Sequence, residues 1–202
     1  MTRLELVRHG QTDWNLAGRV QGSTDIPLNE TGRRQAHEAG RRLAGTDWDL
    51  VVSSPLIRAL ETARIIAEEI GAAEPLVIDA LRERSFGDAE GLTGPELDDK
   101  RARGESVHGR EKRSAVVARA RPALEQLAVE HPDAAILVVS HGGVIGSLVR
   151  HATAYQWPID GQLIENASSH HFAVRDGELG LIEFAGTPWR PGAVEPDPLG
   201  VD

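Results

Sequence analysis

The sequence contains no cysteine, which removes disulfides, thiolate catalysis and cysteine-based zinc sites from consideration. It has no apolar run approaching the roughly 18–20 residues that a membrane helix requires. Nor has it an excess of basic charge, since 22 Lys and Arg face 31 Asp and Glu for a formal net charge of −9. That balance argues against the broad cationic face that a nucleic-acid backbone demands, although a local anion pocket needs only a few residues. No repeat with a period of about 20–50 residues is present, and no linker divides the core. Met1-Thr2-Arg3 runs straight into strand-like sequence without a signal-peptide core. The expectation is a soluble cytoplasmic protein that engages neither membrane nor nucleic acid.

What is there suits one domain of ordinary composition, with 202 residues, 40% hydrophobic and 26% charged. Apolar strand-like runs alternate with helical patterns, the mark of βαβ units and a mostly parallel sheet. The strands are expected at Leu4–Val7, Leu50–Ser53, Pro75–Ile78 and Ala135–Ser140. A hairpin of Ser169–Val174 and Leu179–Phe184 turns on Asp176-Gly177. Helices are expected from Asn29 or Thr31 to Ala44, from Pro55 to Gly71, near Pro95–Ala102, from Ala115 to Glu130 and over Val144–His151. Their inward faces read as Ala36, Ala39, Gly40 and Leu43 for the first, and Leu56, Leu60, Ala63, Ala67 and Ile70 for the second. The resulting fold class is α/β, a three-layer αβα sandwich with a mostly parallel central sheet. Residues 1–185 form the domain, about 84–114 a short cap segment over the C-terminal edge of the sheet, and 186–202 a Pro/Gly-rich tail without regular structure.

Three strands end in polar residues suited to one task. The first delivers Arg8 and His9, the second Ser53 with Arg58 in the helix that follows, and the fourth His141. Parallel neighbours would gather these side chains at the sheet edge where α/β proteins bind ligands. Guanidinium forks match phosphate oxygens, Asn15 and Gln21 add neutral donors, and glycines 10, 22, 142 and 143 let backbone N–H groups come close. The set reads as a phosphate cradle without a metal. Glu83 lies in Leu81-Arg82-Glu83-Arg84. Beside a phosphate dianion and partly buried, its carboxyl favours the protonated form and becomes a proton donor to a leaving alkoxide.

These residues resemble a known family. Leu6-Val7-Arg8-His9-Gly10-Gln11-Thr12 is similar to the signature of the histidine phosphatase superfamily, the phosphoglycerate mutase-like proteins. Gln21-Gly22, Asp25-Ile26-Pro27-Leu28-Asn29, Ser53-Ser54-Pro55 with Arg58 and Thr62, Leu81-Arg82-Glu83, Gly87-Asp88-Ala89-Glu90-Gly91 and Ser140-His141-Gly142-Gly143 follow in the family's order. The resemblance implies that His9 is the nucleophile that becomes phosphorylated. Arg8, Arg58 and His141 hold the phosphoryl oxygens, with Asn15, Gln21, Gly22 and Gly142 binding substrate. Glu83 is the acid and later the base, and no metal or cofactor takes part. It implies a phosphomonoesterase acting on a small phosphorylated metabolite. A 2,3-bisphosphoglycerate-dependent phosphoglycerate mutase is the alternative, and a non-catalytic phosphate-binding module a more distant one.

Plainer readings compete. A zinc site would use two histidines and a glutamate, but flanking arginines would repel a dication. His37, His131 and His151 fall on helix faces or ends, adjacent His170 and His171 face opposite ways on a strand, and His108 is unassigned. The run from Lys100 to Arg113 carries Lys100, Arg101, Arg103, Arg110, Lys112 and Arg113 against Glu105 and Glu111. It is either a solvated face or a segment that covers the cleft and reads a second anionic group of the substrate. A homodimer through an edge strand or exposed helix is left open.

Overall fold

The computed structural model describes residues 1–158 and 162–190. Among these, strands β1 (Thr2–Arg8), β2 (Leu50–Ser53), β3 (Leu76–Val77), β4 (Ala135–Ser140), β5 (Ser169–Arg175), β6 (Glu178–Phe184) and β7 (Thr187–Pro188) form one sheet in the order β3-β2-β4-β1-β5-β6-β7. Pairing is parallel from β3 to β1 and antiparallel from β1 to β7. The run Ala135-Ile136-Leu137-Val138-Val139-Ser140 is buried at every position, as a strand covered on both faces must be.

Alternation along β4 divides the core in two. Ile136 and Val138 pack with Val116, Ala120, Leu124 and Leu127 of α5 (Arg113–Glu130) and with Val144, Ile145 and Leu148 of α6 (Gly142–Ala152). Leu137 and Val139 pack on the opposite face against Ala39 and Leu43 of α2 (Glu30–Leu43) and Ala59, Ala63 and Ile66 of α3 (Ile57–Ile70). The three-layer sandwich follows. α1 (Asp13–Leu16) is a single turn after β1, and α4 (Gly94–Ala102) buries no residue. No helix among the described residues is long and apolar enough to cross a membrane.

Local chemistry fixes the boundaries. Asn29 caps α2 by accepting from the Gly32 amide at 2.9 Å. Gly71 ends α3 in the left-handed conformation at φ 68. The face expected for α2 is the buried one. On α3 the buried set is Arg58, Ala59, Thr62, Ala63, Ile66 and Ala67, whereas Leu60 and Ile70 are only partly buried. The helix is rotated so that an arginine and a threonine face inward, which apolar periodicity cannot register.

Asp176 and Gly177, at φ 53 and 83, make the hairpin turn between β5 and β6. The tail differs from expectation at its start. Thr187 and Pro188 pair with β6, and the Trp189 ring lies 5.3 Å from that of Trp157. The expectation for 191–202 lies outside the described residues.

Register aligns the strand ends that matter. Arg8 is level with Ser140, and Ser53 with Val139, so the residues leaving β1, β2 and β4 emerge at one edge.

Candidate active site

His9 leaves β1 buried, its main chain tied to β4 by its amide donating to Ser140 O at 3.0 Å. Its Nδ1 lies 2.7 Å from the Gly10 carbonyl, which can only accept, so Nδ1 carries the proton. Arg58 Nε donates to His9 Nε2 at 3.3 Å, which requires a lone pair there. Both contacts select one tautomer, with Nε2 free to act as a base or nucleophile. Burial first, then the Arg8 and Arg58 charges, push the His9 pKa well below 6.5.

Arg58 is fully buried on α3. Its Nη1 donates to Thr24 O at 2.8 Å and its Nη2 to Gly22 O at 2.7 Å. Arg8 donates through Nη1 to Ile164 O. His141 is fully buried, its ring centroid 5.2 Å from that of His9, and its Nε2 meets Ser54 Oγ at 2.7 Å. Burial, then Arg58, His9 and Arg8, hold the His141 pKa well below 6.5 as well. Two buried nitrogens, Arg8 Nε and His141 Nδ1, have no partner among the described residues. Buried polar atoms are nearly always paired, so these two nitrogens beside His9 are suited to an anionic oxygen.

Glu83, partly buried, accepts from the Arg84 amide through Oε1 at 2.7 Å and from the Gly143 amide through Oε2 at 3.1 Å. Burial raises its pKa above 4.5, against the opposing pull of those amides and of Arg58 and Arg8. A cavity of about 600 Å³ is lined by Arg8, His9, Asn15, Gln21, Gly22, Arg58, Glu83 and Gly142. The His141 ring lies beside that of His9, which lines the cavity. Asn15 Oδ1 accepts from the Thr12 amide and from Asn166 Nδ2, each at 3.2 Å, leaving its own amide N–H groups for the cavity. Gln21 Oε1 accepts from Thr12 Oγ1 at 2.9 Å.

The glycines do different work from that expected of them. A Cβ on Gly10 would lie 2.3 Å from Gly32 O, one on Gly22 2.1 Å from Glu90 Oε1, and one on Gly143 2.5 Å from Glu83 Oε1. These three admit groups of the protein itself, and Gly142 packs loosely beside Arg8 Nε. At the end of β2, Ser54 rather than Ser53 reaches the site, since Ser53 Oγ is turned to the Ser54 carbonyl.

Sequence reasoning gave no role to three further residues. Asn166 Nδ2 donates to His9 O at 3.0 Å, and Thr62 Oγ1 accepts from the Gly10 amide at 3.1 Å. Glu90 anchors the loop at 23–24. Thr62 and Glu90 lie inside recognised motifs, whereas nothing around Asn166 signals it. Of the basic run, Arg113 alone lines the cavity, joined there by Arg84, Arg150 and Arg19. Lys100 and Arg103 pair with Glu105, and Arg101 with Asp98, on the surface.

Comparisons with known proteins show the family. A family model described as histidine phosphatase superfamily (branch 1) matches residues 4–185. An uncharacterised phosphatase PhoE of Bacillus subtilis is 38% identical over 191 residues, 94% of this chain and 92% of that protein. A mycobacterial glucosyl-3-phosphoglycerate phosphatase, solved as a complex with VO3, superposes with a TM-score of 0.79 at 32% identity, covering 92% of this chain and 99% of that one. A 2,3-bisphosphoglycerate-dependent phosphoglycerate mutase of Cytophaga hutchinsonii is 34% identical over 164 residues, 75% of this chain and 77% of that protein.

Proposed function

The chain belongs to the histidine phosphatase superfamily and is a phosphoric monoester hydrolase, and on that premise we propose that it cleaves its ester in two steps through a phosphohistidine on His9. In the first, the Nε2 lone pair forms a bond to phosphorus while the P–O bond to the leaving group breaks. Protonated Glu83 gives its proton to the departing oxygen. The positive charge that develops on the ring is met by the Nδ1–H···O=C contact to Gly10. In the second, the Glu83 carboxylate takes a proton from water, the water oxygen bonds to phosphorus, the P–N bond breaks, and inorganic phosphate leaves. Arg8, Arg58, His141 and the Asn15 amide hold the phosphoryl oxygens through both steps. Phosphoryl transfer asks for little beyond positioning and charge stabilisation.

One observation carries this reading. The Nε2 of His9 is deprotonated, and a buried guanidinium is fixed against it. The test is brief incubation with a 32P-labelled monoester, followed by denaturation. An acid-labile, base-stable label that vanishes in His9→Ala is expected. Release of phosphate without any such label at early times removes the covalent intermediate.

For the substrate we propose a small phosphorylated metabolite with a second anionic group, because Arg84, Arg113 and Arg150 line the cavity beyond the phosphoryl grip. The mutase alternative rests on weaker matches, 34% identity over 75% of this chain against 38% over 94% for the phosphatase PhoE. It also requires water to be kept from the intermediate. Phosphate release against isomerisation of a phosphoglycerate, with and without a bisphosphoglycerate primer, separates the two.

A further inference from the structure

Glu90 takes no part in the steps above, yet its carboxylate gathers five donors. Oε2 accepts from the Thr24 hydroxyl at 2.6 Å and the Thr24 amide at 3.0 Å. Oε1 accepts from the Ser23 amide and hydroxyl, each at 3.1 Å, and from the Phe86 amide at 2.9 Å. Burial alone would raise its pKa, but the donors from Thr24, Phe86 and Ser23 outweigh it and hold the group ionised.

The residues so gripped are interleaved with the acceptors of Arg58. Gly22 O takes Nη2 and Thr24 O takes Nη1 of that guanidinium. Gly22 sits at φ 57 and leaves the space where a Cβ would strike the Glu90 carboxylate. Asp25, next along, accepts from the Ile57 amide at 2.8 Å, at the start of the helix that carries Arg58. The Phe86 amide ties the same carboxylate to the stretch that follows Glu83.

We propose that Glu90 is a positioning residue for phosphoryl transfer, setting the plane of the Arg58 guanidinium by fixing the loop carbonyls on which it rests. A guanidinium has five N–H donors in one rigid plane. His9 takes one and the loop takes two, so the directions of the remaining two are determined once the loop is fixed. Those two are the donors left for phosphoryl oxygens. If the loop at 22–24 slackens, Arg58 keeps its charge and loses its aim, both toward the phosphoryl group and toward Nε2 of His9.

The inference rests on the phosphohistidine reading, and its test is a double-mutant cycle of Glu90→Ala with Arg58→Ala on p-nitrophenyl phosphate. Glu90→Ala is expected to lower kcat/KM about 10²-fold, the scale of a one-ångström misplacement. Glu90→Gln, which keeps an acceptor oxygen and the shape, should lose about tenfold. In the Arg58→Ala background, Glu90→Ala should cost less than about threefold, because coupled residues are not additive. The acid limb of the kcat/KM profile should also move to higher pH in both Glu90 variants, since a withdrawn guanidinium no longer depresses His9. Equal losses in both backgrounds, wild-type activity in Glu90→Ala, or an unmoved acid limb overturns the proposal and leaves Glu90 a mere loop staple. Should Glu90→Ala not fold, or Arg58→Ala be too slow to assay, the acid limb of Glu90→Gln decides alone. A wild-type enzyme that forms no label on His9 would instead defeat the phosphohistidine reading.

Discussion

The Nε–H of Arg58 donates to the Nε2 of His9 across 3.3 Å, so a permanent cation is held against the atom proposed as the nucleophile. In the resting enzyme burial first, then the charges of Arg8 and Arg58, keep the imidazole deprotonated. In the proposed first step the Nε2 lone pair bonds to phosphorus, and the guanidinium would pass its hydrogen bond to a phosphoryl oxygen.

The pH profile follows from these signs. His9 must be neutral and its pKa lies well below 6.5, so kcat/KM should hold as pH falls through 6.5 and fail only below it. Glu83 must be protonated and its pKa lies above 4.5, so activity should decline as pH rises through that raised value. The product is an acid-shifted optimum. Arg58→Ala should lower kcat about 10³–10⁵-fold and move the acid limb up toward the ordinary histidine value. A wild-type acid limb at or above 6.5 contradicts the assignment of His9.

Glu83 and Gly143 should fail in the same way. Glu83→Gln removes the transferable proton and should lower kcat/KM for alkyl phosphates about 10²–10⁴-fold, with much less effect on kcat/KM for p-nitrophenyl phosphate, whose leaving group scarcely needs protonation. Gly143→Ala places a methyl group 2.5 Å from Glu83 Oε1 and displaces the carboxyl without changing its chemistry. It should reproduce the same substrate bias. Equal losses on both esters in either variant would remove Glu83 from the acid role.

Much of this arrangement could be read from residues alone, for a physical reason. β4 is a continuous apolar run because it is buried on both faces, and α2 is capped and faced by residues whose periodicity is visible. Strands that end in Arg8-His9 and Ser140-His141 meet because a parallel sheet brings their C-terminal ends to one edge. Other features were hidden. Arg58 is legible by its place after the second strand, but that Thr62 shares its inward face on α3 is something an apolar pattern cannot register. Gly10 was credited to a ligand, yet its missing side chain makes room for the Gly32 carbonyl. That contact joins residues far apart in sequence, and such tertiary approach leaves no local trace.

Asn166 is the clearest case of a residue with no such trace. Its Nδ2 donates to the His9 carbonyl at 3.0 Å and to Asn15 Oδ1 at 3.2 Å, so it orients both the proposed nucleophile and a proposed neutral donor. The His9 carbonyl keeps a second donor, the Ala167 amide at 3.3 Å. Asn166→Ala should therefore destabilise the fold by only about 1 kcal/mol while lowering kcat about tenfold. Thermal unfolding and steady-state kinetics on one preparation check this. A stability loss with unchanged kcat would make the contact purely structural.

Specificity should be governed by arginines that the charge run only partly foretold. Arg113 and Arg150 line the cavity and form no ion pair among the described residues, and the Arg84 side chain donates to the Glu111 carbonyl and lies 5.2 Å from the Phe86 ring centroid. Burial, then the Arg150 and Arg110 charges, lower the Arg113 pKa against a smaller opposing pull from Glu83, which marks like charges gathered together. Like charges brought together cost free energy that an anionic ligand returns. Arg110 instead packs 5.3 Å over the Phe86 ring, and neither it nor Lys112 lines the cavity. Arg113→Ala and Arg150→Ala should each raise KM at least about tenfold for esters bearing a second anionic group, with p-nitrophenyl phosphate little affected. Charge reversal at Arg110 and Lys112 should leave the ratio of the two KM values where it is. Had the exposed run been the reader of the second anion, the ratio would shift with Arg110 and Lys112 and stay fixed in Arg150→Ala, an outcome that steady-state assays on paired substrates distinguish directly.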